Sequence, residues 1–272
     1  MPLSTKEYKQ GLNKTESFLL SSLARADKNI FALADAKRIV KKNTKELMHS
    51  LIGKKWVLPL KRGLYVIVPL DVGIKGADSF IVHNFVIASS LVKPYYIGFW
   101  SALNYHGLSD QIPSTTFIAT TQAKKPIEIL DVEYHFVRLE RNKFYGIMEI
   151  EVEGSGVKVS DPEKTIVDCL DHPEHAGGID EVARSIYFSH QELDFKKIKD
   201  YAERSKNVTI LKRLGFILEK VGLLDKYKFV FADFKPSKGY PALDKLSPKK
   251  GKHNSKWGLL INRDINPEGW MY

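Results

Sequence analysis

Cysteine is almost absent from the sequence, since Cys169 is the only one in 272 residues. A single thiol cannot form an internal disulfide, and no cysteine and histidine spacing resembles a zinc module, which excludes a disulfide-bonded secreted scaffold. The opening residues MPLSTKEYKQ lack the apolar core of a secretory signal. The longest apolar stretch, residues 81–100, is interrupted by Lys93 and Pro94 and falls short of the roughly 20 clean apolar residues that a membrane span needs. These absences predict a cytoplasmic protein that does not enter a membrane.

Positive charge is abundant and unevenly distributed. The net charge is +10, and residues 1–70 carry +9 of it, from fourteen basic and five acidic side chains. Residues 71–234 carry −4, and residues 235–256 carry +6 from seven lysines and one acid, Asp244. A basic module beside a mildly acidic body is typical of a protein that meets nucleic-acid phosphates through one part only. A basic surface that serves solubility alone has the same composition.

The basic module shows the periodicity of a winged helix-turn-helix. Three amphipathic segments predict helices over residues 15–26, 32–40 and 44–53. Asn43 and Glu46 are predicted to cap the third helix in a capping box, and Gly53 to end it. A hairpin with its turn at residues 61–63 follows.

The whole chain is therefore predicted to be α+β, with two domains. Residues 1–72 form the winged helix-turn-helix, and residues 73–272 form a mixed α/β C-terminal domain. Within the second domain, residues 235–256 form a basic loop, because lysine, proline, glycine and serine dominate there.

A winged helix binds DNA by placing its third helix in the major groove, while the hairpin reaches the neighbouring backbone. The predicted DNA-binding residues are those at the entrance of the third helix, on its outward face and in the hairpin turn: Lys42, Asn43, Thr44, Lys45, His49, Lys61 and Arg62. Lysines predicted to contact only the phosphate backbone are Lys37, Lys41, Lys54 and Lys55. The alternative is a winged helix that binds another protein.

The C-terminal body alternates strand and helix signals. Strands are predicted over residues 115–120, 132–138, 144–152, 156–159, 228–232 and 257–261, and helices over residues 98–107, 161–171, 180–188, 194–202 and 207–221. Ser160 is predicted to cap the helix that begins at Asp161, in a capping box with Glu163. The body is thus a mixed sheet with helices.

Five segments together resemble one known family. They are residues 61–67 (KRGLYVI), 101–108 (SALNYHGL), 161–165 (DPEKT), 213–216 (RLGF) and the segment at Trp257. In this order and spacing they resemble the AbiEi family of type IV antitoxins and related transcriptional regulators.

The resemblance implies an N-terminal winged helix that binds double-stranded operator DNA, with inverted repeats as one form of operator, and represses its own operon. It also implies a C-terminal α/β domain that counteracts a nucleotidyltransferase-like toxin without forming a stable complex with it. No cofactor is implied.

A second function fits some of the same residues. Asp161, Glu163, Lys164 and Asp168 could form the carboxylate and lysine cluster of a metal-dependent nucleic-acid enzyme, with Asp161 and Asp168 on one helix face. No nucleotidyltransferase or nuclease motif accompanies them, so the prediction is a protein with no catalytic, metal or cofactor site.

Several other residues are predicted to have structural or solvated positions and no catalytic role. His172 and His175, with Asp168 and Asp171, have a loose metal-ligand spacing but are predicted to lie solvated in a loop. His106 is predicted to be a hydrogen-bonded structural histidine, and Cys169 to be buried and inert. The basic loop is open to three interpretations, namely a second nucleic-acid contact, a surface that faces a toxin or RNA, or a solvated mobile segment, which we favour.

Overall fold

The computed structural model describes residues 9–70 and 82–270 of the chain. The chain divides into two compact units, of which the first includes residues 1–93, 128–132 and 151–157 and the second includes the rest. The predicted domain boundary at residues 72 and 73 and the first eight residues lie outside the described part. Within the described part, no helix is long and apolar enough to cross a membrane.

The first unit contains helices and one small sheet. Its elements are α1 (Lys14–Arg25), β1 (Ile30–Ala32), α2 (Leu33–Ile39), α3 (Thr44–Gly53), β2 (Val57–Lys61), β3 (Leu64–Ile67) and α4 (Asn84–Leu91). The strands pair antiparallel in the order β1-β3-β2. The apolar faces of α1 to α3 meet in one core around Leu19, Met48 and Leu51. The three predicted helices and the hairpin are present, and β1, which was not predicted, pairs with β3.

Helix capping in the first unit differs from the prediction. A capping box exists at α1, where Asn13 Oδ1 accepts from Glu16 N at 2.9 Å and Glu16 Oε2 accepts from Asn13 N at 2.7 Å. The box predicted at Asn43 and Glu46 is wrong, because Asn43 adopts a left-handed conformation (φ 54°) and its side chain caps nothing. A capping side chain reaches the helix amides from extended backbone. α3 does end at Gly53, but this glycine does not adopt the left-handed conformation; the positive φ belongs to Lys55 (58°).

The largest of the sheets is mixed and has six strands, in the order β6-β7-β5-β4-β9-β8. The strands are β4 (Tyr95–Ile97), β5 (Thr115–Thr120), β6 (Ile127–Ile129), β7 (Val132–Arg138), β8 (Ile147–Val152) and β9 (Ser155–Ser160). β4 pairs antiparallel with β5, whereas the pairs β5–β7 and β4–β9 are parallel. The predicted mixed sheet is therefore confirmed. Two of its strands, β4 and β6, were not predicted because three residues are too few to show alternation.

Helices pack against this sheet around one apolar core. They are α5 (Phe99–Tyr105), α6 (Pro162–Asp171), α7 (Ile179–Ser189), α8 (Phe195–Arg204) and α9 (Val208–Lys220), followed by a two-stranded hairpin of β10 (Lys252–Asn254) and β11 (Leu259–Ile261). The interior of the core comes mainly from α6, α7 and α9. The α+β class predicted from the sequence is thus confirmed.

Two local predictions in this unit are wrong. The cap of α6 is Asp161 rather than Ser160, since Asp161 Oδ1 accepts from Lys164 N at 2.8 Å, while the buried Ser160 hydroxyl bonds to Thr165 Oγ1 instead. Residues 228–232 do not form a strand, because Lys228–Phe231 is a 3₁₀ turn. A short apolar run has no period that distinguishes a strand from a buried turn.

Candidate nucleic-acid interface

The first unit presents a group of exposed cations on α2, α3 and the β2–β3 turn. Its members are exposed basic side chains that form no ion pair with any other described residue: Lys37, Lys41, Lys42, Lys45, Lys61 and Arg62. We call these six residues the cationic face. Asn43 and His49 are also exposed, so six of the seven predicted DNA-binding residues are solvent-accessible. A cation without an acidic partner keeps its full attraction for phosphate.

Thr44 does not face outward as predicted. Its side chain is only 6% exposed, and its hydroxyl donates to the carbonyl oxygen of Val40 at 2.8 Å. The first residue of a helix can turn a hydroxyl back onto the preceding turn, which the apolar spacing of α3 does not reveal. Thr44 is therefore unavailable to a base edge in this conformation.

Lys54 is likewise not a free phosphate contact. Its ammonium group donates to Glu16 Oε2 at 2.7 Å, and Ser50 Oγ donates to Glu16 Oε1 at 2.7 Å. Burial raises the pKa of the Glu16 carboxyl, but its hydrogen bonds with Lys54, Asn13 and Ser50 outweigh burial, so the net shift is downward. Lys54 therefore joins α3 to α1 and is removed from the predicted backbone contacts.

The carboxylates of the predicted enzyme alternative are paired with lysine and tyrosine side chains. Asp161 Oδ2 accepts from Tyr201 OH at 2.8 Å, and Lys197 lies 3.2 Å away. Asp168 is buried, where it accepts from Lys164 and, at 2.7 Å, from Tyr96 OH. Glu163 Oε2 accepts from the same Lys197 at 2.9 Å, so all three carboxylates are paired with groups of the protein.

The buried ion pair of Asp168 and Lys164 lies within α6 and against β4. Burial raises the pKa of the Asp168 carboxyl, although Lys164 and the Tyr96 hydroxyl oppose that shift. The Lys164 ammonium also lies 4.8 Å from the centre of the Tyr145 ring. A buried charge is tolerated when it is paired in this way.

His106 and Cys169 have the surroundings that were predicted for them. His106 Nε2 lies 2.6 Å from the carbonyl oxygen of Ser160, to which it donates, and burial lowers the pKa of its imidazole. The Cys169 thiol is fully buried, and burial raises its pKa well above the usual value. A buried thiol with a raised pKa is a poor nucleophile.

Two buried cations of α9 hold the backbone of the predicted basic loop. Lys212 Nζ donates to the carbonyl oxygens of Ser237, Gly239 and Gly258 at 3.0–3.1 Å. The guanidinium of Arg213 donates to Ala242 and Leu243 on the same segment and to Leu170 on α6. The sequence predicted both residues as part of a helix, and Arg213 also as part of a family motif, but it predicted no tethering role for either. The loop is tethered by these bonds, in contrast to the mobile segment that we favoured.

The structure also gathers a histidine and carboxylate group that the sequence placed in a solvated loop. His172, Glu174 and His175 each offer one ligand atom, and these atoms lie within 4.8 Å of one another. Asp168, the partner suggested by spacing, is bonded to Lys164 instead. Burial raises the pKa of Glu174, but hydrogen bonds from His172 and Lys245 and its own backbone outweigh it and lower the pKa to about 2. Burial lowers the pKa of His175 to about 4.

Comparison with known proteins supports the family that the sequence motifs suggested. Residues 96–220 match the family described as the AbiEi antitoxin C-terminal domain. The fold is similar to the crystal structure of the RV2827C protein from Mycobacterium tuberculosis, with a TM-score of 0.63 over 95% of each chain at 12% sequence identity. No curated protein matches the chain significantly. Residues 96–220 of this chain are thus similar to the AbiEi antitoxin C-terminal domain, the family that the sequence motifs resemble.

Proposed function

We propose that this protein is a DNA-binding transcriptional regulator of the type IV antitoxin kind. Its first unit binds operator DNA and represses its own operon, and its second unit counteracts a nucleotidyltransferase-like toxin. The cationic face carries the first part of this proposal, and the AbiEi domain at residues 96–220 supports the second.

The arrangement of the first unit supports a winged helix-turn-helix. A helix, a short strand, two further helices and a hairpin occur in that order, and the first strand joins the hairpin in one sheet. In such a fold α3 is the helix that enters the major groove, and the β2–β3 turn is the wing. Lys42, Lys45 and His49 then face the DNA from the start and outer side of α3, while Lys61 and Arg62 reach the adjacent backbone from the wing.

Ion pairs remove two basic residues of the unit from the proposed DNA contacts. Lys28 is 2.8 Å from Asp35, and Lys54 is 2.7 Å from Glu16. In the cationic face no carboxylate competes with phosphate among the described residues. Binding there releases counterions from DNA without first breaking an ion pair.

The second unit supports a regulator without catalytic activity. Asp161 and Asp168 are each hydrogen-bonded to a tyrosine and paired with a lysine. A metal-dependent nuclease needs carboxylates that converge on one ion and are free to bind it. We therefore propose that these residues hold α6 in place.

A binding experiment tests DNA recognition. Fluorescence anisotropy compares the duplex immediately upstream of the protein's own gene with an unrelated duplex of equal length and base composition. We expect tighter binding to the upstream duplex, and we expect His49→Ala to reduce that preference, because the histidine lies where base edges are read. Gln191→Ala changes an exposed, neutral side chain of the second unit outside the basic loop, and this control should bind like the wild type.

Equal affinity for the two duplexes would contradict operator recognition. Absence of salt-dependent binding to either duplex would favour the alternative in which the first unit binds another protein. Nuclease activity that requires added metal and disappears in Asp161→Ala would contradict the non-catalytic assignment.

A growth experiment tests the antitoxin part. If the adjacent reading frame encodes a nucleotidyltransferase-like protein, its induction should stop growth, and co-expression of this chain from a separate promoter should restore it. A variant that has lost DNA binding but keeps the second unit distinguishes neutralisation from repression, since the separate promoter removes any need for an operator. Failure of the wild-type chain to restore growth would contradict the antitoxin role.

A further inference from the structure

A compact group of nitrogen and oxygen ligands lies where α6 ends. His172 follows the last residue of the helix, and Glu174 and His175 belong to the 3₁₀ turn Pro173–His175 that comes next. One ligand atom of each side chain lies within 4.8 Å of the other two. Two imidazoles and one carboxylate are a common ligand set for zinc and similar divalent transition metals.

The His172 ring lies between two carboxylates. Nδ1 of His172 lies 3.2 Å from Glu174 Oε1, and Nε2 lies 3.5 Å from Asp171 Oδ2. An imidazole that binds a metal through one nitrogen donates its other N–H to a neighbouring carboxylate, which fixes the orientation of the ring. His172 therefore has a carboxylate on one side to share a metal ion with and a second carboxylate on the other side to orient it.

The ammonium group of Lys245 lies beside both His172 and Glu174. Its ammonium nitrogen is 3.1 Å from Glu174 Oε1 and 3.4 Å from His172 Nδ1, and it also donates to the carbonyl oxygen of Asp171 at 2.9 Å. The Lys245 side chain is 38% exposed and can withdraw toward solvent. The other carboxylate oxygen of Glu174, Oε2, is buried and receives no hydrogen bond from any described residue. A bound metal ion would satisfy the ligand atoms of His172, Glu174 and His175 more fully than the lysine does.

Aromatic rings and a third imidazole surround His175. The Phe99 and Phe117 rings lie with their centres 5.5 and 5.7 Å from that of His175, and the His135 ring lies at 5.1 Å. Phe99 keeps this position with a positive φ of 54°, a conformation that large side chains rarely adopt. An apolar shell of this kind limits water at a metal site and strengthens the bonds to the ion.

We propose that His172, Glu174 and His175 bind one divalent transition-metal ion of the zinc class, which takes the place of the Lys245 ammonium group. His172 would coordinate through Nδ1, with Asp171 orienting its ring from the opposite side. The fourth position is left for water or the His135 imidazole. The ion would join the end of α6 to the turn that follows it, which is a structural role independent of DNA binding.

Zinc titration of the untagged, full-length protein tests this site. Metal is first removed with a chelator, and zinc chloride is then added while heat is measured; cobalt(II) added in parallel reports coordination through its visible absorption. The wild type should bind one zinc ion per chain, and cobalt should show the spectrum of a nitrogen and oxygen site. Glu174→Gln keeps the shape of the side chain and should weaken binding by about tenfold or more. His175→Ala should remove the site.

Two further variants make the test specific. Lys245→Met removes the competing cation and should tighten zinc binding, whereas an accidental surface site would be indifferent to it. His253→Ala removes an exposed histidine elsewhere in the same unit and should bind zinc as the wild type does. Circular dichroism checks that each variant is folded. If His175→Ala does not fold, the zinc affinity of Glu174→Gln is enough to test the site.

The proposal is overturned if the wild type binds no stoichiometric zinc. It is also overturned if Glu174→Gln binds zinc as tightly as His253→Ala, or if Lys245→Met loses binding.

Discussion

The two basic residues of the β2–β3 turn give the sharpest quantitative test of the cationic face. Lys61 and Arg62 are exposed, and neither has an acidic partner among the described residues. Each neutralised phosphate contributes about 0.9 to the slope of log K against log salt concentration. If all six cations contact phosphate, the wild-type slope approaches about −5, and the change Lys61→Ala with Arg62→Ala should make it less steep by about 2.

The same change predicts a loss of affinity that does not depend on sequence. Near 0.1 M salt, two lost phosphate contacts lower the association constant by nearly two orders of magnitude. The loss should be equal for the upstream duplex and for the unrelated one, since phosphate contacts carry no base information. Fluorescence anisotropy over a range of potassium chloride concentrations measures both quantities.

A matched control removes two charges elsewhere. Lys125 and Lys158 are exposed lysines of the second unit, and their side chains have no ion pair with another described residue. Lys125→Ala with Lys158→Ala changes the net charge by the same amount as the wing variant. If both double variants show the same slope, the affinity reflects overall charge and the wing assignment is refuted. A wild-type slope near zero would refute the whole cationic face.

Three further predictions concern stability. Glu16→Gln should lower the free energy of unfolding by about 3 kcal/mol because it breaks the buried pair with Lys54. The pKa of Glu16 is lowered in the folded state, so its contribution to stability is present above pH 4.5 and is lost as the pH falls through the folded pKa. Glu16→Gln should therefore reduce the loss of unfolding free energy at acid pH, measured by urea denaturation. An unchanged pH dependence would contradict this. Gly215→Ala should destabilise by about 1–3 kcal/mol instead of giving the usual helix gain, because the new Cβ would lie 2.0 Å from the Trp257 ring, and the same change should cost much less when it is made in a Trp257→Leu variant. Arg213→Met leaves buried carbonyl oxygens without donors and should speed amide exchange in residues 237–258, whereas unchanged exchange would show that Arg213 does not tether them.

Periodicity predicted most of the helices because their apolar spacing is a local property. The spacing in residues 44–53 and 207–221 placed α3 and α9 within one residue of their observed ends. Four strands of three residues, β1, β4, β6 and β10, were missed, since alternation needs a longer segment. The caps at Asn43 and Ser160 were wrong because the choice of a cap depends on the backbone conformation that the neighbouring turn imposes.

The candidate sites show a similar division. Charge and helical spacing listed every residue of the cationic face among the predicted DNA contacts, but they did not reveal the ion pair of Lys54 or the inward turn of Thr44. The histidine group could not, since its carboxylate was expected from Asp168 or Asp171 and comes from Glu174, between the two histidines. Spacing along a helix does not predict the directions of side chains in a 3₁₀ turn.

The sequence by itself determined the α+β class, the order of elements in the basic module, the polarised charge and the family motifs. These properties depend on composition and on residues that are close along the chain. Only the tertiary structure decided which cations are free, because the partners lie far apart in sequence. Lys54 meets Glu16 across 38 residues, and Lys245 meets Glu174 across 71. Lys212 and Arg213 look like surface charges of a helix in the sequence, and they are buried because the returning segment brings carbonyl oxygens that satisfy them.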